Sequence, residues 1–213
     1  MKDRRQAAEI LDRLMAEHPD AQCELDFGTP FQLLVAVILS AQCTDKRVNE
    51  VTPKLFADYS TPEQFAAMDP AVLERYIFSC GFYKNKAAHI ISAAKDIAER
   101  FGGEVPSTIE ELMTLAGVGR KTANVVYAVA FGGQAIAVDT HVLRLANRIG
   151  FVDSDKPIEV EKALMQAFDE DKWSAAHHAL IHHGRYTCTA RAPKCEECSI
   201  TEYCDRYAGI NNK

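Results

Sequence analysis

Four cysteines, Cys188, Cys195, Cys198 and Cys204, crowd near the C-terminus in the spacing Cys-x6-Cys-x2-Cys-x5-Cys. A segment that short wraps one tetrahedral site without long-range folding, and four soft sulfur ligands suit zinc or an iron–sulfur cube. The spacing matches neither the paired arms of a zinc ribbon nor the bacterial ferredoxin run. Ligand chemistry therefore leaves both metals open, with a lean towards zinc. Cys23, Cys43 and Cys80 lie among apolar residues and read as small buried hydrophobes. His178 and His182 stand four apart, as metal ligands on a helix do, but packing and capping near His183-Gly184 is the stronger reading.

A second chemical feature is Leu115-Ala116-Gly117-Val118-Gly119-Arg120-Lys121-Thr122-Ala123, which places two glycines between helical segments. Gly117 and Gly119 allow a tight turn and a close backbone approach, and the next helix offers N–H groups and a positive dipole end to a phosphate. Arg120 and Lys121 sit at that same helix start, where cations are electrostatically misplaced. The misplacement has a use. A lysine near pKa ~10.4 is a poor nucleophile, and dipole, the neighbouring guanidinium and burial would each favour its neutral amine. Lys121 thus reads either as a Schiff-base nucleophile or as a phosphate contact. Lys121 and Asp139 bracket the uncharged run 122–138, and Gly132-Gly133 allows the chain to double back, so Asp139 could return towards Lys121. Asp139 also precedes Thr140-His141-Val142-Leu143 and could cap that helix, a role compatible with catalysis.

The elements that must carry these residues are helices. Ala7, Ile10, Leu11, Leu14 and Met15 follow the i, i+3, i+4 rhythm, as do Ala87, Ile90, Ile91, Ala94 and Ile97, while strand alternation is almost absent. Starts are marked by Thr29-Pro30, by Thr61-Pro62 with Gln64, by Asp69-Pro70 and by Ser107 with Glu110. Stops fall at Gly102-Gly103, Gly132-Gly133 and Gly150, and residues 136–138 read as a short extended piece. With 213 residues, 47% hydrophobic and 25% charged, the pattern is that of an all-α globular chain rather than a disordered one. Its longest uncharged runs fall short of the roughly 20 apolar residues that cross a bilayer, and charges from Lys2 onward leave no signal-peptide core. The expectation is a cytoplasmic protein, associated with the nucleoid if it binds DNA. The formal charge of −6 means that any polyanionic partner must be held by local charge.

These motifs, with Ser40-Ala41-Gln42-Cys43-Thr44-Asp45, Gly81-Phe82-Tyr83-Lys84-Asn85-Lys86-Ala87, Val138-Asp139-Thr140-His141 and His183-Gly184-Arg185-Tyr186-Thr187-Cys188, carry a resemblance from end to end. The chain resembles the endonuclease III family of helix-hairpin-helix DNA glycosylases. The resemblance implies a two-lobed all-α fold, with a six-helix domain over 23–133 and a cluster domain built from 1–22 and 134–213. It also implies one 4Fe-4S cluster on Cys188, Cys195, Cys198 and Cys204, overturning the lean to zinc. The implied activity is that of a monomeric DNA glycosylase and AP lyase, excising oxidised or ring-damaged pyrimidines from duplex DNA and nicking abasic sites by β-elimination. Lys121 matches the family's nucleophile and Asp139 its carboxylate, Gln42 the residue filling the gap left by the flipped nucleotide, and Phe82 a wedge position. Lys84, Gly117, Gly119, Arg120, His141, Arg185 and Arg191 complete the expected DNA contacts. Lys86, Arg144, Arg148 and Lys194 add to an expected basic face.

Two positions depart from the family pattern: Ala116 replaces the usual proline of the hairpin, and Phe82 the usual aliphatic wedge, leaving the opposite-base preference open. Two alternatives fit the sequence less well. An adenine-mismatch glycosylase is disfavoured by Lys121, by the end of the chain at Lys213 and by the lack of a carboxylate in 31–39. A non-enzymatic helix-hairpin-helix DNA-binding protein is disfavoured by Lys121 together with Asp139.

Overall fold

The computed structural model describes residues 2–211, and among these it contains helices and no strand. In chain order they are α1 (Arg4–Glu17), α2 (Pro30–Ser40), α3 (Asp45–Asp58), α4 (Pro62–Ala66), α5 (Pro70–Ile77), α6 (Tyr83–Arg100), α7 (Ile109–Leu112), α8 (Arg120–Phe131), α9 (Thr140–Ile149), α10 (Pro157–Ala167), α11 (Trp173–Tyr186) and α12 (Asp205–Asn211), with short 3-10 turns between some of them. The chain divides into two compact units, one spanning Glu24–Gly133 and the other combining the residues up to Cys23 with those from Gln134 onward.

The unit spanning Glu24–Gly133 is built around α2. Its run Phe31, Leu33, Leu34, Val35, Ala36, Val37, Ile38 and Leu39 is buried on every side, the pattern of a helix enclosed by other helices. Thr29 caps it, accepting from Gln32 N, and Pro30 occupies the first turn, where a missing N–H costs nothing. The long helix α6 turns Ala87, Ile90, Ile91, Ala94 and Ile97 inward, while Phe31 and Phe65 meet edge to face at 5.2 Å between ring centres. The expected Thr61–Gln64 capping box is present at α4. One start shifts by a residue: α7 is capped by Thr108, not Ser107. Thr108 Oγ1 accepts from Glu111 N at 3.2 Å and donates to Glu111 Oε2 at 2.8 Å, so the acid three residues on belongs to Thr108.

In the second unit, α1 presents Ala7, Ile10, Leu11 and Leu14 to a core shared with Val142, Leu145, Ala146 and Ile149 of α9, Val160 and Leu164 of α10, and Ala176, Ala179 and Leu180 of α11. Each fully buried leucine here contributes roughly 1.5–3 kcal/mol of transfer free energy, which anchors the N-terminal helix to the far end of the chain. Residues 136–138 are buried and non-helical but join no sheet among the described residues. Among the described residues, no helix is long and apolar enough to cross a membrane.

Candidate active site and cysteine recess

The glycine turn closes as its residue types require. Gly117 holds φ +76°, and a Cβ there would lie 2.8 Å from His89 Cβ, so both backbone conformation and space demand glycine. Gly119 then starts α8 in extended conformation with no side-chain cap, and the helical ladder begins with Ala123 N donating to Gly119 O at 2.9 Å. The N–H groups of such a first turn have no intrahelical acceptor. Arg120 and Lys121 are both exposed on that turn. Lys121 is therefore not buried, contrary to the sequence expectation.

The same unit holds Gln42 and Phe82. Among the described residues they are the non-glycine positions with left-handed backbone, at φ 53° and 46°. Their loops adjoin, since a Cβ on Gly81 would lie 4.0 Å from Gln42 O. A left-handed side-chain-bearing residue costs of order 1–3 kcal/mol and persists where function uses it. Phe82 is 63% exposed, which apolar burial does not explain. Lys84 is exposed on the first turn of α6, but Lys86 corrects the expected basic face. It is buried, donating Nζ–H bonds to Leu39 O at 2.8 Å and Cys80 O at 2.5 Å. Burial pushes its pKa below that of an ordinary lysine.

In the other unit Asp139 caps α9. Its Oδ1 accepts from His141 N and Val142 N, both at 2.8 Å, which fixes the carboxylate at a helix start. His141 is half-buried, with Nδ1 3.3 Å from Arg144 Nη2. Arg144 donates to Gly184 O at 2.7 Å and Cys188 O at 3.0 Å. Arg148 donates to Cys188 Sγ at 3.2 Å, Thr189 O at 2.8 Å and Ala190 O at 2.8 Å. Both guanidinium groups were expected on a phosphate-facing surface; their hydrogen bonds instead hold the cysteine loop against α9. Arg185 is half-buried and Arg191 exposed.

Cys188, Cys195, Cys198 and Cys204 line one recess with Leu145, Ile149 and Ile200, enclosing about 420 Å³ of empty space, open solvent at its mouth included. Burial pushes the Cys198 thiol up to about 11 and raises that of Cys204 as well. Four thiols converging on an apolar recess, with thiolates disfavoured there unless a cationic centre accompanies them, is a donor set that fits a metal cluster. The histidine facing this loop is not the 178/182 pair. His182 Nε2 lies 3.1 Å from Gln22 O, whereas buried His183 places Nε2 3.5 Å from Cys198 Sγ and Nδ1 3.1 Å from Glu17 Oε1. Glu17 also accepts from Thr187 Oγ1 and Ser199 Oγ, each at 2.6 Å. Burial works against its charge, but these hydroxyls and His183 hold its pKa below the usual carboxylate value. Sequence spacing gave no sign of Glu17, since its partners lie at the opposite end of the chain.

A glycine hairpin feeding a cation-bearing helix start, an Asp-capped helix and a four-cysteine loop define a class. Residues 35–170 match the model of the HhH-GPD superfamily base excision DNA repair proteins, and residues 188–204 that of the iron-sulfur binding domain of endonuclease III. Endonuclease III of Bacillus subtilis is 50% identical over 91% of this chain and 89% of its own length, and that of Synechocystis 49% over 94% and 92%. A solved structure of a trapped endonuclease III–DNA covalent intermediate superposes with a TM-score of 0.95 at 46% identity, covering 99% of this chain and all of that one. The chain belongs to the endonuclease III family. It is a DNA-binding base-excision repair enzyme with an iron–sulfur cofactor.

Proposed function

We propose that this protein is a bifunctional DNA glycosylase and AP lyase acting on oxidised or ring-damaged pyrimidines and on abasic sites in duplex DNA. The observation that carries the reading is Lys121 standing exposed on the first turn of α8, directly after the Gly117–Gly119 turn, in a chain about half identical to endonuclease III. A damaged base stacks and pairs poorly, so its extrusion costs less by a few kcal/mol and selects it. Gln42 and Phe82 fill and wedge the duplex at the extruded nucleotide. Gly117, Gly119, Arg120, Lys84, His141, Arg185 and Arg191 contact the DNA, chiefly through its phosphates.

The neutral Lys121 amine attacks C1′ of the sugar as the bond to the base breaks, and the base departs with a proton. The Asp139 carboxylate stabilises positive charge developing on the sugar and assists proton transfer. Opening of the sugar ring leaves a protonated Schiff base between Lys121 Nζ and C1′. That cation acidifies the C2′ proton, whose removal expels the 3′ phosphate and nicks the strand. Cys188, Cys195, Cys198 and Cys204 are the residues that would hold a 4Fe-4S cluster, which supplies a covalent clamp for the C-terminal loop. The protein works as a monomer in the cytoplasm, on nucleoid DNA.

Borohydride reduction during reaction with abasic duplex tests the assignment, because it converts the Schiff base into a stable cross-link. Wild-type protein should trap, and Lys121→Ala should lose trapping while keeping its fold and its affinity for abasic DNA. Undiminished trapping by Lys121→Ala refutes Lys121 as the nucleophile.

A further inference from the structure

At the C-terminal end of α1, three ligand-type atoms face one another. Glu17 Oε1 lies 3.1 Å from His183 Nδ1 and 3.2 Å from His18 Nε2, and the two imidazole nitrogens are 3.2 Å apart. All three residues belong to the unit that contains the cysteine loop. They take no part in the chemistry proposed for Lys121 and Asp139. We propose that Glu17, His18 and His183 form a second metal site, binding one divalent first-row cation of the zinc type.

The triangle has the size such a cation needs. A zinc ion about 2.0–2.1 Å from each corner would see its ligands at mutual angles of roughly 100°, between octahedral and tetrahedral values. Two imidazoles and one carboxylate form a set that zinc accepts while leaving a position for water. Hydrogen bonds alone satisfy the triangle poorly. Protons on both imidazole nitrogens would crowd two N–H donors onto Glu17 Oε1, which already accepts from Thr187 Oγ1, while a single proton leaves at least one side of the triangle with lone pairs facing each other.

The surroundings point the same way. Metal-binding carboxylates and imidazoles are normally oriented by outer hydrogen bonds. Here Thr187 Oγ1 donates to Glu17 Oε1 and Ser199 Oγ to Oε2, both at 2.6 Å, while the far nitrogen of His183 faces Cys198 Sγ. Glu17 is in the last turn of α1, where a carboxylate opposes the helix dipole and that turn has no basic residue to offset it. A bound cation removes that conflict. His183 is 1% exposed, but the side chains of Glu17 and His18 are 18% and 12% exposed, which gives an ion a path in.

The test uses full-length protein with its iron–sulfur cluster intact, washed with chelator and then dialysed against Zn²⁺. Elemental analysis should find one zinc per chain in addition to unchanged iron. Zinc-edge X-ray absorption should show nitrogen and oxygen neighbours at about 2.0–2.1 Å and no sulfur. His18→Ala is the decisive variant, because His18 closes α1 through its backbone, and its Nε2 faces Glu17 and His183. It should weaken zinc binding at least tenfold while visible absorbance and abasic-site nicking stay at wild-type level. Glu17→Gln should also lose zinc. No zinc uptake, sulfur in the zinc shell, or wild-type zinc affinity in His18→Ala each overturns the proposal.

Discussion

Asp139 caps a helix and is proposed to supply catalytic charge, and the structure allows the two roles to be separated. Both capping bonds use Oδ1, at 2.8 Å to His141 N and Val142 N, and the amide oxygen of Asn can accept both. Asp139→Asn therefore gives up only the attraction between a carboxylate and the α9 dipole, about 0.3–1 kcal/mol. In a chain of this size that lowers Tm by up to about 4 °C. Asp139→Ala removes the cap as well, costing about 0.5–2 kcal/mol and up to about 8 °C. A domain stable by about 5–15 kcal/mol stays folded at 25 °C after either loss. Removal of a charge that acts on a developing cation should instead slow base excision by about 10²–10³. Single-turnover release of a damaged pyrimidine, abasic-site affinity and Tm, measured under one salt condition, decide the matter. Both variants should lose excision alike and differ in Tm. Wild-type excision by Asp139→Asn, or excision that tracks Tm across the pair, refutes the catalytic role.

Gln42→Gly and Phe82→Gly relieve left-handed backbone that costs about 1–2 kcal/mol per residue, offset in part by the roughly 0.5–1 kcal/mol entropy cost of glycine. Each should raise Tm by up to about 4 °C while weakening lesion binding; a fall in Tm in both would refute the strain account. Lys84→Ala should lower the slope of log affinity against log salt by about 1. Lys86→Met should leave that slope unchanged and destabilise the fold by about 1–3 kcal/mol, because the Leu39 and Cys80 carbonyls lose their donor.

Features encoded by local spacing were legible in the sequence. The Thr61–Gln64 box, the Thr29-Pro30 start and the helical rhythm of α1 and α6 are interactions within one or two turns, so a linear pattern records them. The four cysteines were legible for the same reason. The errors share another origin. Ser107 with Glu110 and Thr108 with Glu111 both satisfy the capping pattern, and only the hydroxyl geometry distinguishes them. Lys86, Arg144 and Arg148 were read as surface cations because charge alone does not report a buried carbonyl. The carbonyls of Leu39, Cys80, Gly184 and Ala190 that they meet lie 6 to 47 positions away along the chain. Glu17 escaped notice because it meets His183, 166 positions on.

The helix starts carry the same distinction into function. Seven of them, in α1 to α5, α7 and α9, are closed by a side chain: Asp3, Thr29, Thr44, Thr61, Asp69, Thr108 or Asp139 accepts from the first turn. The starts of α6, α8, α10 and α11 have no side-chain cap among the described residues. At two of these, acidic residues stand in or beside the first turn: Glu159 in α10, and Glu170 and Asp171 just ahead of α11. Those two starts also have a lysine at the cap position, Lys156 and Lys172, whereas the other two carry cations with no acid in the first turn, Lys84 on α6 and Arg120 with Lys121 on α8. A folded chain gains nothing in stability from cations at a positive dipole end. The arrangement becomes favourable when an anion arrives, because N–H groups, dipole and side-chain charge then act on it together. Both starts lie in the unit spanning Glu24–Gly133, and each follows a glycine held at positive φ, Gly81 before α6 and Gly117 before α8. Basic starts without a side-chain cap or a first-turn acid support the phosphate contacts proposed for Lys84 and Arg120, and the salt slope of Lys84→Ala tests them.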